Sequence, residues 1–133
     1  MHVEALDHIH IYSADPAKSA EFYEHHFDGT IVQRHEEGTV LLALGGKILI
    51  FGPVPEGVAP AHPPAFEGGA RTPGCGVAHI GLRVADVKAA VDELTQASVE
   101  ILAQPVVEPD ITYAYIGAPD GVVLELTQYE IPA

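Results

Sequence analysis

Tryptophan is absent from this 133-residue chain, cysteine occurs once, and lysine plus arginine number only six. The single Cys75 excludes an intrachain disulfide and any thiolate metal cluster, and a reducing, cytoplasmic setting is expected. Nineteen acidic residues against six basic ones give a formal net charge of −13. That balance argues against nucleic acid and anionic membrane surfaces as partners. It also disfavours a polyanionic substrate unless a few cations are gathered at one site. No long apolar run is present either. The most apolar stretch, residues 40–51, is broken by Gly45, Gly46 and Lys47 and is too short to span a bilayer. The first six residues lack the basic start and apolar run of a secretory signal, so none is expected. Phosphate-cradling glycine loops and nucleophile elbows are missing as well.

What the chain does have is a repeat. His8-Ile9 recurs as His79-Ile80, and Ala14-Asp15 recurs at the same step as Ala85-Asp86. Each copy opens with a short apolar stretch carrying a buried-looking histidine, followed by an aspartate and a helical pattern. A repeat of this length means two copies of one supersecondary unit. With 47% hydrophobic and 19% charged residues, the chain can bury a core as one compact domain.

Residues 5–12 read as a strand, with Leu6, His8, His10 and Tyr12 on one face and Ile9 and Ile11 on the other. Asp15-Pro16 starts a helix by supplying a cap and a proline at the first helical position. Ala20, Tyr23 and Phe27 share its apolar face, and Asp28-Gly29 ends it. Strands are predicted at 31–35, 40–44 and 47–51. Residues 52–76 are rich in proline and glycine and aperiodic, a linker that serves as a lid, a partner contact or a plain tether. The plan then repeats: a strand at 77–84, a helix capped by Asp86 with Val87, Val91 and Leu94 inward, and strands near 100–103, 112–116 and 122–127. Pro119-Asp120-Gly121 supplies the last turn. The expected class is α+β, two tandem βαβββ modules forming paired curved, largely antiparallel sheets around a cleft.

Several side chains on these faces suit chemistry. His10 shares the face of His8 and could serve as base, donor or ligand, or be an ordinary strand histidine. Tyr113 and Tyr115 share one strand face, where a phenol can donate to a substrate oxygen or simply pack. Arg83, on the face of His79, suits a substrate carboxylate or phosphate, or a nearby acid. Glu24, His25 and His26 are consecutive on a helix and point apart, which favours a solvated patch.

Three segments carry a resemblance: Leu6-Asp7-His8-Ile9-His10-Ile11 with Glu21-Phe22-Tyr23; Val77-Ala78-His79-Ile80-Gly81-Leu82-Arg83-Val84; and Pro119-Asp120-Gly121-Val122-Val123-Leu124-Glu125-Leu126. Together they resemble the vicinal oxygen chelate superfamily of glyoxalases, epimerases, fosfomycin-resistance transferases, extradiol dioxygenases and bleomycin-resistance proteins. The resemblance covers nearly the whole chain and is specific for the superfamily, not for one reaction. It implies a single domain over 1–133, with module one at 5–52, a linker at 53–76 and module two at 77–128. It also implies a small-molecule substrate and a homodimer, in which a site can draw on modules of two chains.

In metal-dependent members the ligands come from the first and fourth strands of each module. Carried over, His8, His79 and Glu125 become the metal ligands. Two neutral imidazoles and one carboxylate suit a divalent ion such as Fe, Mn, Ni, Zn or Co, with open positions for substrate. Glu125, among apolar neighbours, needs such a partner, because a buried unpaired charge is costly. The last strand of module one departs from the pattern. It reads Lys47-Ile48-Leu49-Ile50-Phe51-Gly52, and the register falls on Leu49 or Ile50, neither of them a ligand. The implied activity is a metal-dependent lyase or isomerase resembling glyoxalase I and methylmalonyl-CoA epimerase. Alternatives are an Fe(II) extradiol-type dioxygenase, a fosfomycin-resistance-like thiol transferase, and a metal-free binding protein of the bleomycin-resistance kind.

Overall fold

The computed structural model describes residues 1–130. Two compact units divide at Ala61 and His62. In the first, strand β1 (His8–Ser13) leads into helix α1 (Pro16–Phe27), then β2 (Thr30–Arg34), β3 (Val40–Leu44) and β4 (Lys47–Pro53). The sheet order is β1-β4-β3-β2, with β1 parallel to β4 and the other pairs antiparallel.

The helix ends follow local chemistry. Asp15 accepts from the Lys18 backbone N–H at 3.2 Å, and Pro16 occupies the first turn. Asp28 adopts a left-handed conformation and sends its N–H back to the Tyr23 carbonyl. Ala20 and Tyr23 are fully buried, together with Leu42, Leu49 and Phe51 of the sheet, so the inner face of α1 makes the core of this unit. Ile11 and Ser13 of β1 are buried with them. The alternate residues His8, His10 and Tyr12 are left on the exposed face.

In the second unit a short hairpin, β5 (Phe66–Glu67) and β6 (Ala70–Arg71), precedes β7 (Ile80–Arg83) and helix α2 (Val87–Gln96). Then come β8 (Ile101–Val107), β9 (Ile111–Gly117), a 3-10 turn at Pro119–Gly121 and β10 (Val123–Tyr129). Sheet order β7-β10-β9-β8 repeats that of the first unit, including one parallel pair, β7 with β10. Asp86 caps α2 through the Ala89 N–H at 3.0 Å, and Gln128 takes the Val87 N–H at 2.9 Å. Val87, Val91 and Leu94 are buried, as the apolar stripe required. The α+β class and the tandem βαβββ modules are as the sequence implies. Among the described residues no helix is long and apolar enough to cross a membrane.

Three expectations are corrected. Each first strand starts later than its apolar run, at His8 and Ile80 instead of residues 5 and 77. The partner strands set that limit: His8 pairs with Ile48, just past the Gly45-Gly46 turn, and Ile80 pairs with Leu124, just past the 3-10 turn. Leu6 therefore lies outside the strand, exposed. The aperiodic stretch 52–76 contains the β5–β6 hairpin, whose turn is Gly68-Gly69 with φ of 60 and 80. Two positive φ values in a two-residue loop match the twist of the flanking strands, and glycine adopts them without steric cost.

Candidate functional site

Strand β10 places Glu125 between two neighbours on one sheet face. Across the antiparallel ladder it pairs with Tyr115, and across the parallel one with Gly81. Gly81 has no side chain, and a Cβ built there would meet nothing within 4 Å, so the face is open beside the carboxylate. His79, two residues before Gly81, projects onto the same face. Its Nε2 lies 3.5 Å from Glu125 Oε2. The other oxygen, Oε1, accepts from the Thr127 hydroxyl at 2.8 Å. The Tyr115 phenol is a further hydrogen-bond partner of the carboxylate. Burial, and then this bond to Glu125, push the Tyr115 phenol up to about 12 from its ordinary 10.0.

The His79–Glu125 separation is informative. At 3.5 Å it is longer than an ordinary N–H···O bond. Two donor atoms each about 2.1 Å from a tetrahedral ion lie about 3.4 Å apart, which is the observed spacing to within ~0.1 Å. The side chains are also restrained, being 32% and 20% exposed. Donor type, spacing and the hydroxyls that orient Glu125 all fit two ligands of one divalent ion.

Beside the pair opens a cavity of about 410 Å³, lined by residues of the second unit. Its walls include His79, Tyr113 and Tyr115 together with Phe66 and Arg71 of the hairpin. The Tyr115 ring lies 5.3 Å from His79 and 5.2 Å from Phe66 between centroids, so the aromatic groups form a continuous wall. Tyr113, 5.9 Å from Tyr115, points its hydroxyl at Glu108 at 3.5 Å.

The remaining candidates stand elsewhere. His8 belongs to the first unit and is not the buried histidine the apolar stretch implied: its side chain is 45% exposed, with Nδ1 2.7 Å from Asp7 Oδ2. His10 lies on the same exposed face, its ring over Gly52 and 5.0 Å from Tyr12. The register of module one is now fixed. Ile50 is the β4 partner of His10, just as Glu125 is the β10 partner of Gly81, so Ile50 holds the place of the fourth ligand. Arg83 lies 4.5 Å over the Tyr129 ring, outside the cavity walls. Among the described residues no three His, Cys, Asp or Glu side chains gather as a ready-made metal group. Sequence reading missed Phe66 and Arg71, for which Gly68-Gly69 was the available signal.

Residues 5–126 match the family model described as Glyoxalase/Bleomycin resistance protein/Dioxygenase superfamily. No curated protein matches the sequence. Among solved structures, an integron cassette protein from V. cholerae is 24% identical, covering 98% of each chain with a TM-score of 0.68. A genomically encoded fosfomycin resistance protein from Listeria monocytogenes is 14% identical over 98% of this chain and 94% of its own, with a TM-score of 0.72. A glyoxalase/bleomycin resistance protein/dioxygenase from Nocardioides is 15% identical over 97% and 85%, with a TM-score of 0.70. At these identities the likeness is one of fold.

Proposed function

The chain belongs to the Glyoxalase/Bleomycin resistance protein/Dioxygenase superfamily, and on that premise we propose that it is a divalent-metal-dependent lyase or isomerase. Its substrate is a small molecule that presents two neighbouring oxygens. The observation that carries this reading is the His79–Glu125 pair, 3.5 Å apart and steadied by Thr127 beside an aromatic-walled cavity. His79 and Glu125 hold the ion, which is Fe, Mn, Ni, Zn or Co. His8 is the third ligand, given by the same chain or by a second copy in a homodimer. When bound, the ion acts as a Lewis acid on the two substrate oxygens.

The chain's own residues supply orientation and proton control. Thr127 and Tyr115 both hydrogen-bond the Glu125 carboxylate, the kind of support that sets ligand geometry in metal sites. Tyr115, with its phenol raised to about 12, keeps its proton at neutral pH and holds it on Glu125, so it orients the ligand and is not the base. Tyr113 stands beside it in the cavity wall, and its phenol, 3.5 Å from Glu108 at the long limit of a hydrogen bond, turns to donate to a substrate oxygen when one is bound. His10, on the face of His8, is the group that moves a proton. The net charge of −13 accords with a small, weakly charged substrate and with neither nucleic acid nor membrane as partner. The setting is cytoplasmic.

Metal analysis of untagged protein, with His79→Ala and Glu125→Ala beside it, tests this reading. Near-stoichiometric metal in the wild type, lost in both variants, and turnover of a hemithioacetal, α-hydroxy carbonyl or acyl thioester without oxygen uptake are expected. A protein that takes up no divalent ion and binds a drug-like molecule regardless would be a sequestering protein instead. Ile50 in the fourth ligand place favours a second reading, an Fe(II) dioxygenase of the extradiol type, since three ligands leave room for substrate and O₂. Oxygen consumption and aerobic inactivation would select it, and thiol addition to an epoxide would select a fosfomycin-type transferase.

A further inference from the structure

Arg71 is one of six cations in a chain with nineteen acids, and like the other five it makes no ion pair with any described carboxylate. It is half-buried in the wall of the cavity that also holds His79 and Tyr115. What sets it apart is its place: it faces a cavity whose other walls are aromatic and small apolar residues. Its placement is built. Arg71 pairs with Phe66 across the hairpin, and cross-strand partners share a face, so both side chains turn to the cavity. One guanidinium nitrogen, Nη1, donates to the Ala78 carbonyl at 2.8 Å, tying the hairpin to the residue directly before His79. A guanidinium carries five N–H donors, and this bond uses one.

We infer that Arg71 is a carboxylate-binding subsite: the substrate carries, a few atoms from the oxygen pair directed to His79 and Glu125, a carboxylate that Arg71 grips. This deepens the proposed function and rests on it for the position of the oxygen pair. A carboxylate, not a phosphate ester, is the matching group. Arg71, the one cation among the described residues of the cavity wall, balances one negative charge, and its guanidinium fork donates two parallel N–H bonds to a planar carboxylate. The tie through Ala78 keeps the guanidinium close to His79, so the bridge between the two substrate ends is short. A doubly charged phosphate group or a polyphosphate tail at this end would meet no second cation among the described wall residues.

Two probes separate the ends. Lactate offers a hydroxy acid pair alone, and malate offers the same pair plus a second carboxylate. Both are titrated by calorimetry and ligand-observed NMR into wild type, Arg71→Gln and Arg71→Lys, each zinc-loaded and each stripped with EDTA. Gln can still donate to Ala78, which guards against loss of the hairpin. Malate is expected to bind loaded wild type about 10-fold or more tighter than lactate, the worth of one charge-assisted contact. Arg71→Gln removes that difference and leaves lactate and zinc affinity unchanged, while Arg71→Lys recovers part of it. In stripped protein malate still binds weakly and Arg71→Gln abolishes it, a result that does not depend on metal. The subsite is overturned if lactate and malate bind alike, if the preference survives in Arg71→Gln, if neither acid binds, or if inorganic phosphate binds wild type more tightly than malate. Failure of zinc to bind sinks the metal reading alone, because the stripped-protein comparison is read separately.

Discussion

Thr127 donates its hydroxyl to Oε1 of Glu125 at 2.8 Å, while Oε2 of the same carboxylate faces His79 at 3.5 Å. One oxygen is held for orientation, and the other faces the imidazole with which it would share an ion. Removing the hydroxyl should loosen the carboxylate without touching a ligand. Thr127→Val, nearly isosteric, is expected to weaken divalent-metal affinity about 10-fold, the usual cost of losing such a support. Thr127→Ser should restore it. Competition of each variant against a chelating dye reads the change directly, with the melting temperature as control for folding.

The Tyr115 phenol carries a pH signature in metal-stripped protein. Its folded value of about 12 lies above the ordinary 10.0, because burial and the Glu125 carboxylate disfavour the phenolate. The folded state therefore holds a proton that the unfolded chain releases. The stabilisation is complete below pH 10 and is lost as pH rises through about 12, the folded value. Ultraviolet absorbance of tyrosinate should show one late-titrating phenol that disappears in Tyr115→Phe. Urea midpoints should fall between those pH values in wild type and fall less in the variant.

His10 depends on a missing side chain. Its ring occupies the place a Cβ at Gly52 would take. Gly52→Ala must push the imidazole aside, and the imidazole is the movable end of an exposed side chain, so stability should change by no more than about 1 kcal/mol. The ring, however, must turn. Histidine NMR signals are expected to shift for His10, and a reaction in which His10 moves the proton should slow by about 10-fold or more. Unchanged turnover in both Gly52→Ala and His10→Ala would remove His10 from the chemistry.

Much of this was legible in the residues because it is set locally. Asp15-Pro16 and Asp86 cap helices through atoms three residues away, and Asp28 ends α1 by its own backbone conformation. Val87, Val91 and Leu94 fix the inward face of α2 by spacing alone. The pairing of His79 with Glu125 was legible from the repeat and the family pattern, which tie the two strands together before any register is known. Other features depended on partners. The late start of β1 at His8, an exposed position, follows from β4 beginning only after the Gly45-Gly46 turn, which no pattern within residues 5–12 records. Ile50, rather than Leu49, emerged as the counterpart of Glu125 only through the ladder with β1. Arg71 stayed hidden because a two-residue strand has no periodicity to read, although its Gly-Gly turn was visible.

That turn offers the last test. Gly69 has a φ of 80 with nothing within 4 Å of a built Cβ, so substitution there strains the backbone without a clash. Alanine in the left-handed region costs about 1 kcal/mol or a little more. A two-stranded ribbon has little stability of its own, and this one pairs with neither four-stranded sheet. Gly69→Ala should therefore open the hairpin locally and leave global unfolding nearly unchanged. Because cleavage of a transiently opened segment follows its equilibrium population, proteolysis within residues 66–71 should speed up about 5-fold. The same variant should weaken malate more than lactate, since Arg71 is held by this ribbon on one side and by Ala78 on the other. If cleavage quickens while malate discrimination stays intact, the bond to Ala78 alone positions the guanidinium, and the hairpin is only the arm that delivers it.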